Sequence, residues 1–200
     1  MLIGGHSQLD EPYGGERELL REAGTSIIHC PLASARYAHA LETFDRYRLA
    51  GVNVALGTDG PGSNSDMDMK AVIRFTSLLQ KHQTRNAEVL PGDMPLRMAT
   101  ANGARALGFP NSGSLAVGQA ADITLFDFDQ PHLYPRHDLI ANLVHSARGS
   151  DVSHVIVDGK LIYREGELLT LDEGKIKAEA ERHARRLVGQ SLKIVREYKA

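Results

Sequence analysis

Residues 52–64 read Val-Asn-Val-Ala-Leu-Gly-Thr-Asp-Gly-Pro-Gly-Ser-Asn, and this stretch decides the fold. Its apolar first half predicts a short buried strand that ends at Gly57 and delivers Thr58 and Asp59 to the strand's carboxyl end. The Gly-Pro-Gly cluster that follows predicts a turn. Because ligands and catalytic groups collect at the carboxyl ends of parallel strands, Asp59 is a candidate functional carboxylate. The alternative is that Asp59 only opens an Asx-type turn, since Asp before Gly is common in turns.

The segments around this strand predict a parallel α/β sheet. Strands are predicted at residues 1–5 and 25–30, and helices at 14–23, 40–50 and 67–83. Three strand-helix units with short connections are typical of a parallel sheet with right-handed crossovers. Asp93 is the predicted N-cap of a further helix over residues 94–107.

The second half of the chain has a different pattern. Short β runs are predicted at residues 114–115, 121–127, 152–157 and 160–163. Asp158-Gly159 is a strong hairpin signal, and these runs together predict a small antiparallel β domain. A charged helix is predicted over residues 173–197. We therefore predict three parts, with boundaries at 1–110, 111–170 and 171–200.

Composition limits the classes of partner and location. Apolar residues make up 42% of the 200 residues and charged residues 24%, as in ordinary globular proteins. The formal net charge of -2 argues against a nucleic-acid partner or an anionic membrane surface. Cys30 is the single cysteine, which excludes an internal disulfide, and we predict that it fills space in the core. Without a signal peptide or an apolar run of about 20 residues, a cytoplasmic, non-membrane protein is expected.

Five motifs in chain order carry a family resemblance. They are His6, the run His29-Cys30-Pro31, the run 57–64 with Asp59, the run 98–108 (Met-Ala-Thr-Ala-Asn-Gly-Ala-Arg-Ala-Leu-Gly), and the run 113–123 (Gly-Ser-Leu-Ala-Val-Gly-Gln-Ala-Ala-Asp-Ile). The series resembles the metal-dependent amidohydrolase superfamily from His6 to about Leu168. More narrowly, it is similar to the aminohydrolases and chlorohydrolases of N-heterocycles, such as methylthioadenosine, S-adenosylhomocysteine and guanine deaminases and s-triazine hydrolases.

This resemblance implies a (β/α)8 barrel that carries a small β-sandwich. The chain would contain barrel strands six to eight and the later part of the sandwich. Asp59 matches the aspartate after the eighth strand, which binds the metal and takes the proton of the attacking water. His6 matches the histidine after the sixth strand, beside that water and the substrate. The implied cofactor is one divalent metal ion, most commonly zinc with iron as the alternative, which lowers the pKa of its water.

Other polar residues receive smaller roles. The resemblance makes His29 a supporting or structural residue, and Ser63 and Asn64 residues that brace the loop. Arg36 is available for substrate contact. The remaining histidines have no spacing that suggests a metal site and are His39, His82, His132, His137, His145, His154 and His183.

The chain departs from the family pattern in its metal ligands. It has no His-x-His pair and no strand-borne histidine before His6. A single aspartate with one nearby histidine cannot hold a catalytic zinc, for which three protein ligands are usual. Three parallel strands also cannot close a barrel. We therefore expect the chain to need an amino-terminal barrel half or a homo-oligomer. The run Leu32-Ala33-Ser34, where the family often has Ser-Ser-Asn, leaves the substrate open.

Three hypotheses follow. The first is a metal-dependent hydrolase of a small N-heterocycle, such as a purine, pterin or triazine, with this chain supplying the carboxyl-terminal half of the site. The second is a non-catalytic assembly half or fragment that is inactive alone. The third is a self-standing α/β module that binds a small heterocycle.

Overall fold

The structure is a computed structural model that describes residues 2–5, 14–39 and 44–188, with the backbone alone for residues 2–5 and 188. Its first half consists of β1 Leu2–Gly5, α1 Glu16–Glu22, β2 Ser26–His29, α2 Pro31–Arg36, α3 Phe44–Leu49, β3 Asn53–Leu56, α4 Pro61–Asn64, α5 Met69–Thr84, α6 Met94–Ala99 and α7 Ala101–Leu107. Its second half consists of β4 Ile123–Phe126, α8 Leu139–His145, β5 Val152–Val157, β6 Lys160–Arg164, β7 Glu167–Leu168 and α9 Glu173–Val188, with 3-10 turns at Pro131–Leu133 and Gly149–Asp151.

The first three strands form one parallel sheet in the order β1-β2-β3. Ile27 lies opposite Val54, and His29 opposite Leu56. The three predicted strands of this sheet are therefore confirmed, as is the long helix α5 that follows β3. Because all three strands run in one direction, the segments that follow β2 and β3 leave the sheet at the same end, the carboxyl end of the strands.

The third strand is covered on both faces, as its continuous apolar pattern predicts. Successive side chains of a strand point to opposite faces, yet Val54 is 1% exposed and Ala55 is fully buried. Val72 and Ile73 of α5 pack into the same core. Burying a side chain such as Val72 stabilises the fold by about 1.5–3 kcal/mol. The remaining buried members of this core are Ile27, Phe44, Tyr47, Val52, Leu56, Leu90, Met98 and Val144.

The single helix predicted over residues 94–107 is wrong in one respect, because the chain forms two helices there. Thr100 separates α6 from α7 with φ -116° and ψ -90°. Its hydroxyl donates to the carbonyl of Leu96 over 2.9 Å, a contact that bends helices. Past the break, the Asn102 amide donates to the Val54 carbonyl over 2.9 Å, and Asn53 donates to the Asn102 carbonyl over 3.1 Å. This pair of bonds fastens α7 to β3. Asp93 precedes α6 as predicted, but its side chain makes no capping bond.

The second half forms a four-stranded antiparallel sheet in the order β4-β5-β6-β7. The predicted hairpin is confirmed, since Asp158 (φ 49°) and Gly159 (φ 74°) connect β5 to β6 with the positive φ values of a type I′ turn. The strand predicted at residues 114–115 is wrong, because Leu115 is exposed and lies in no strand.

Three helices were not predicted. Asp138 caps α8 by accepting the Ala141 N–H over 2.9 Å, and Pro31 occupies the first position of α2, where it needs no N–H partner. The third is α4, a helix of four residues that forms where the sequence predicts a turn after Asp59. Of the predicted terminal helix, residues 189–197 lie outside the described residues. Within the described part of the chain, no helix has the length and apolarity needed to cross a membrane.

Candidate active site

Asp59 lies three residues beyond the end of β3 and is exposed to solvent, as the strand-end prediction requires. Its backbone has φ 61°, in the left-handed region that Asp tolerates better than most residues. Its Oδ1 accepts the backbone N–H of Gly60 over 2.6 Å. This bond orients the carboxylate at the start of the turn. It joins Asp59 to the next residue, whereas the Asx-type turn given as the alternative joins residues two positions apart.

At Gly57, just after β3, the backbone passes very close to β2. Its N–H donates to the His29 carbonyl over 3.0 Å, which extends the parallel pairing by one residue. A Cβ at this position would lie 2.9 Å from Cγ2 of Ile28 and 3.1 Å from Sγ of Cys30. Only a residue without a side chain fits this approach. Cys30 itself is buried, as predicted.

The turn after Asp59 is held by its own side chains. Ser63 Oγ donates to the Gly60 carbonyl over 3.1 Å, and the Asn64 amide donates to the Asp66 carbonyl over 2.7 Å. The prediction that Ser63 and Asn64 brace this loop is confirmed.

Arg36 lies at the end of α2, and its Nη1 donates to Oγ of Ser65. Ser65 is the C-cap of α4 and has φ 66°. The structure therefore brings Arg36 to the loop that carries Asp59, although the two residues are 23 positions apart in the chain.

His29 is a buried structural residue. Its ring is 3% exposed and stacks on Phe44 with 4.3 Å between ring centroids and 18° between ring planes. Burial lowers the pKa of His29 from 6.5 to about 4, because the charged ring would lose its hydration. The imidazole is therefore neutral at physiological pH. This agrees with the supporting role expected for His29.

The metal site predicted around Asp59 is incomplete in the described part of the chain. His6, its predicted neighbour, lies outside the described residues. Among those residues, no group of three or more His, Cys, Asp or Glu side chains is close enough to hold a metal ion. An exposed carboxylate such as Asp59 suits a divalent ion as one ligand, but the other donors of a catalytic site must come from elsewhere.

A second polar centre, which sequence reasoning missed, lies between α5 and the small sheet. Lys70 is 5% exposed, and its ammonium donates to the Val144 carbonyl over 3.0 Å. Burial lowers the pKa of Lys70 from 10.5 to about 8, against the opposing effect of Asp68 and Asp151. Asp151 also accepts from His132 Nε2 over 2.8 Å. The only sequence signal is a lysine placed among the apolar positions of α5.

A cleft of about 980 Å³ lies beside this centre, between α5, α6 and the small sheet. Most of its walls are apolar, and Lys70, Asp68 and Asp122 are its charged members. Neither Asp59 nor Arg36 lines it. The cleft is therefore separate from Asp59 and Arg36.

The chain is similar in sequence to known deaminases. A 5-methylthioadenosine/S-adenosylhomocysteine deaminase of Halobacterium salinarum is 43% identical over 177 residues, which cover 88% of this chain and 41% of the relative. A 5'-deoxyadenosine deaminase of Methanosphaera stadtmanae is 43% identical over 158 residues, which cover 79% of this chain and 37% of the relative. The chain thus spans about two fifths of the length of these relatives.

The fold comparison agrees with the sequence comparison. The crystal structure of an adenosine deaminase from Xanthomonas campestris with bound zinc superposes with a TM-score of 0.88 and 33% identity, covering 94% of this chain and 42% of that one. The mixed α/β fold and the resemblance predicted from the motifs are confirmed. Because residues 5–162 match the Amidohydrolase family, the chain belongs to that family.

Proposed function

We propose that this chain forms the carboxyl-terminal part of a metal-dependent aminohydrolase that deaminates an adenosine-like N-heterocycle. The observation that carries the proposal is the exposed carboxylate of Asp59 at the carboxyl edge of a parallel sheet, in a chain of the Amidohydrolase family. The relatives support a purine over a pterin or triazine, because they are named for adenosine derivatives altered at the 5' position. Water would replace the ring amino group, which leaves as ammonia.

The proposed architecture is the last three strands of a (β/α)8 barrel, over residues 1–110, followed by part of a β-sandwich over 111–170 and a terminal helix over 171–200. The outer edges of β1 and β3 pair with no other strand in the described part of the chain. Unpaired edges of a parallel sheet favour a covering partner. An amino-terminal barrel half or a second copy of the chain would serve as that partner.

Asp59 is the proposed metal ligand and proton acceptor. The Gly60 N–H on Oδ1 orients the carboxylate, which can take a proton from the attacking water. A divalent ion, zinc or iron, would supply a water of lowered pKa when bound. The zinc in the Xanthomonas structure supports zinc. His6 is the proposed second catalytic residue beside the substrate. Arg36 is the proposed substrate contact, since its guanidinium has five N–H donors and the bond to Ser65 uses one.

The test joins this chain to the amino-terminal part of the Halobacterium salinarum relative and measures ammonia release from 5'-deoxyadenosine. Asp59→Asn suits the left-handed backbone and keeps an oxygen for the Gly60 N–H, so the fold should be unchanged. It removes the proton acceptor, and turnover should fall at least about 100-fold. Asp93→Asn is the matched control, because Asp93 is an exposed carboxylate immediately before α6 that pairs with Arg97.

Near wild-type turnover by Asp59→Asn would reject the role of Asp59. A folded, zinc-loaded chimera that releases no ammonia from any adenosine derivative would reject the deaminase. It would favour the alternative of a non-catalytic assembly half. The observation behind this alternative is that the described residues contain no three-donor metal group.

A further inference from the structure

The carboxylate of Asp59 and the turn α4 form one hydrogen-bonded unit. The Gly60 N–H binds Asp59 Oδ1 over 2.6 Å, and the Gly60 carbonyl accepts the N–H groups of Ser63 and Asn64 over 3.0 Å each. Ser65 N–H closes the turn on the Pro61 carbonyl over 3.0 Å. A displacement of α4 therefore moves Gly60, and with it the direction of the Asp59 carboxylate.

This unit is tied to the neighbouring strand-end segment through one side chain. Arg36 belongs to α2, which begins two residues after β2 and packs against α4. Its Nη1 donates to Ser65 Oγ, at the far end of the turn from Asp59. Ser65 has the left-handed φ of 66°, so its backbone direction at this point is locally unfavourable and benefits from a tether.

We infer that Arg36 is a positioning residue, which holds the Asp59 carboxylate in its catalytic direction through Ser65 and α4. The inference rests on the proposed role of Asp59. It adds a second function to a residue proposed above only as a substrate contact. A substrate contact needs no Ser65, whereas a tether needs both partners equally.

The first experiment uses the 200-residue chain alone and measures hydrogen–deuterium exchange of the amides in residues 60–66. Arg36→Met keeps the length of the side chain without its donors, and Ser65→Ala removes the acceptor. Each should speed exchange of the Asn64 and Ser65 amides roughly three- to tenfold, since a single hydrogen bond controls the local opening. The double variant should exchange no faster than either single variant. Arg36→Lys keeps a charged donor group at the end of a side chain of similar length and should restore part of the protection.

Arg97→Ala is the matched control, because it removes a comparable exposed bond, the 2.7 Å contact with Asp93 on α6. Exchange in residues 60–66 should be unchanged in this variant. The second experiment measures kinetics in the chimera described above. Arg36→Met and Ser65→Ala should each lower kcat several-fold, and their effects on kcat should not add. KM should be unchanged in Ser65→Ala, which removes no substrate contact.

Unchanged exchange in both single variants would overturn the inference. So would unchanged kcat in both variants with a rise in KM for Arg36→Met, because that result indicates a substrate contact alone. Asp59→Asn in the same chimera reports separately on the proposed function. If Asp59→Asn is fully active, the proposed role of Asp59 fails and kcat should not follow the tether, whatever the exchange experiment shows.

Discussion

Gly57→Ala should destabilise the protein although its backbone can accept alanine. The added methyl would lie 2.9 Å from Cγ2 of Ile28 and 3.1 Å from Sγ of Cys30. Carbon atoms pack best at about 3.5–4.0 Å, so these neighbours must move by several tenths of an ångström. Neither atom can move away freely, because Cγ2 sits on the branched Cβ of Ile28 and Sγ of Cys30 is buried.

The expected cost follows from this overpacking. Adding a methyl group to a well-packed site costs about 1–3 kcal/mol. For a chain of this length each kcal/mol lowers the melting temperature by about 2–4 °C, so Gly57→Ala should melt roughly 2–12 °C lower. Cys30→Ala in the same chain removes one of the two clashing atoms. The double variant should therefore lose at least about 0.5 kcal/mol less than the sum of the single variants.

Gly60→Ala is the matched control, three residues later in the same stretch. Gly60 has φ -78° and ψ 158°, and apart from its chain neighbours no described atom lies within 4 Å of the position that an added methyl group would take. Alanine there should be neutral or stabilise by about 0.4–1 kcal/mol through the unfolded state. Urea denaturation of the four variants measures these differences. A Gly57→Ala variant as stable as Gly60→Ala would refute the close approach of β3 to β2.

Two further predictions concern pH. The wild type should lose up to about 3 kcal/mol of stability between pH 6.5 and 4 relative to His29→Phe, which keeps a ring on Phe44. The reason is that His29 takes up its proton at a higher pH in the unfolded chain than in the folded one. If urea denaturation shows the same loss of stability with falling pH in both proteins, this prediction is wrong. Between pH 8 and 10.5 the wild type should gain up to about 3 kcal/mol of stability relative to Lys70→Met. Over this range the unfolded chain keeps the Lys70 proton, whereas the folded chain has lost it. If the free energy of unfolding changes equally with pH in both proteins, Lys70 has its ordinary pKa.

The sequence predicts the elements whose signals are local. The apolar run before Gly57 and the hairpin signal at Asp158-Gly159 specify β3 and the β5-β6 turn. The sequence does not predict the break at Thr100, because a threonine hydroxyl that binds a helix carbonyl ends a helix only where other contacts hold the next segment in a new direction. That hold is the bond between Asn102 and Val54, which are 48 positions apart in the chain.

The candidate site divides in the same way. The position of Asp59 follows from the strand end and the turn signal, which are adjacent in the chain. The bond between Arg36 and Ser65 joins residues 29 positions apart, and the Lys70 bond to Val144 joins residues 74 positions apart. Neither contact has a periodic or compositional signal. Both depend on how α2, α5 and α8 pack.

The left-handed backbone of Asp59 restricts which residues can replace it. At φ 61° the residues that fit with little strain are Gly, Asn and Asp. In the genetic code, Asn and Gly are each one nucleotide away from Asp, so the carboxylate could be lost in a single step while the turn survived. The fold alone therefore exerts little pressure to retain a negative charge here. If the chain had no catalytic role, nothing described in the structure would prevent the replacement of Asp59 by Asn during evolution. The presence of an aspartate here is therefore a reason to test for activity first.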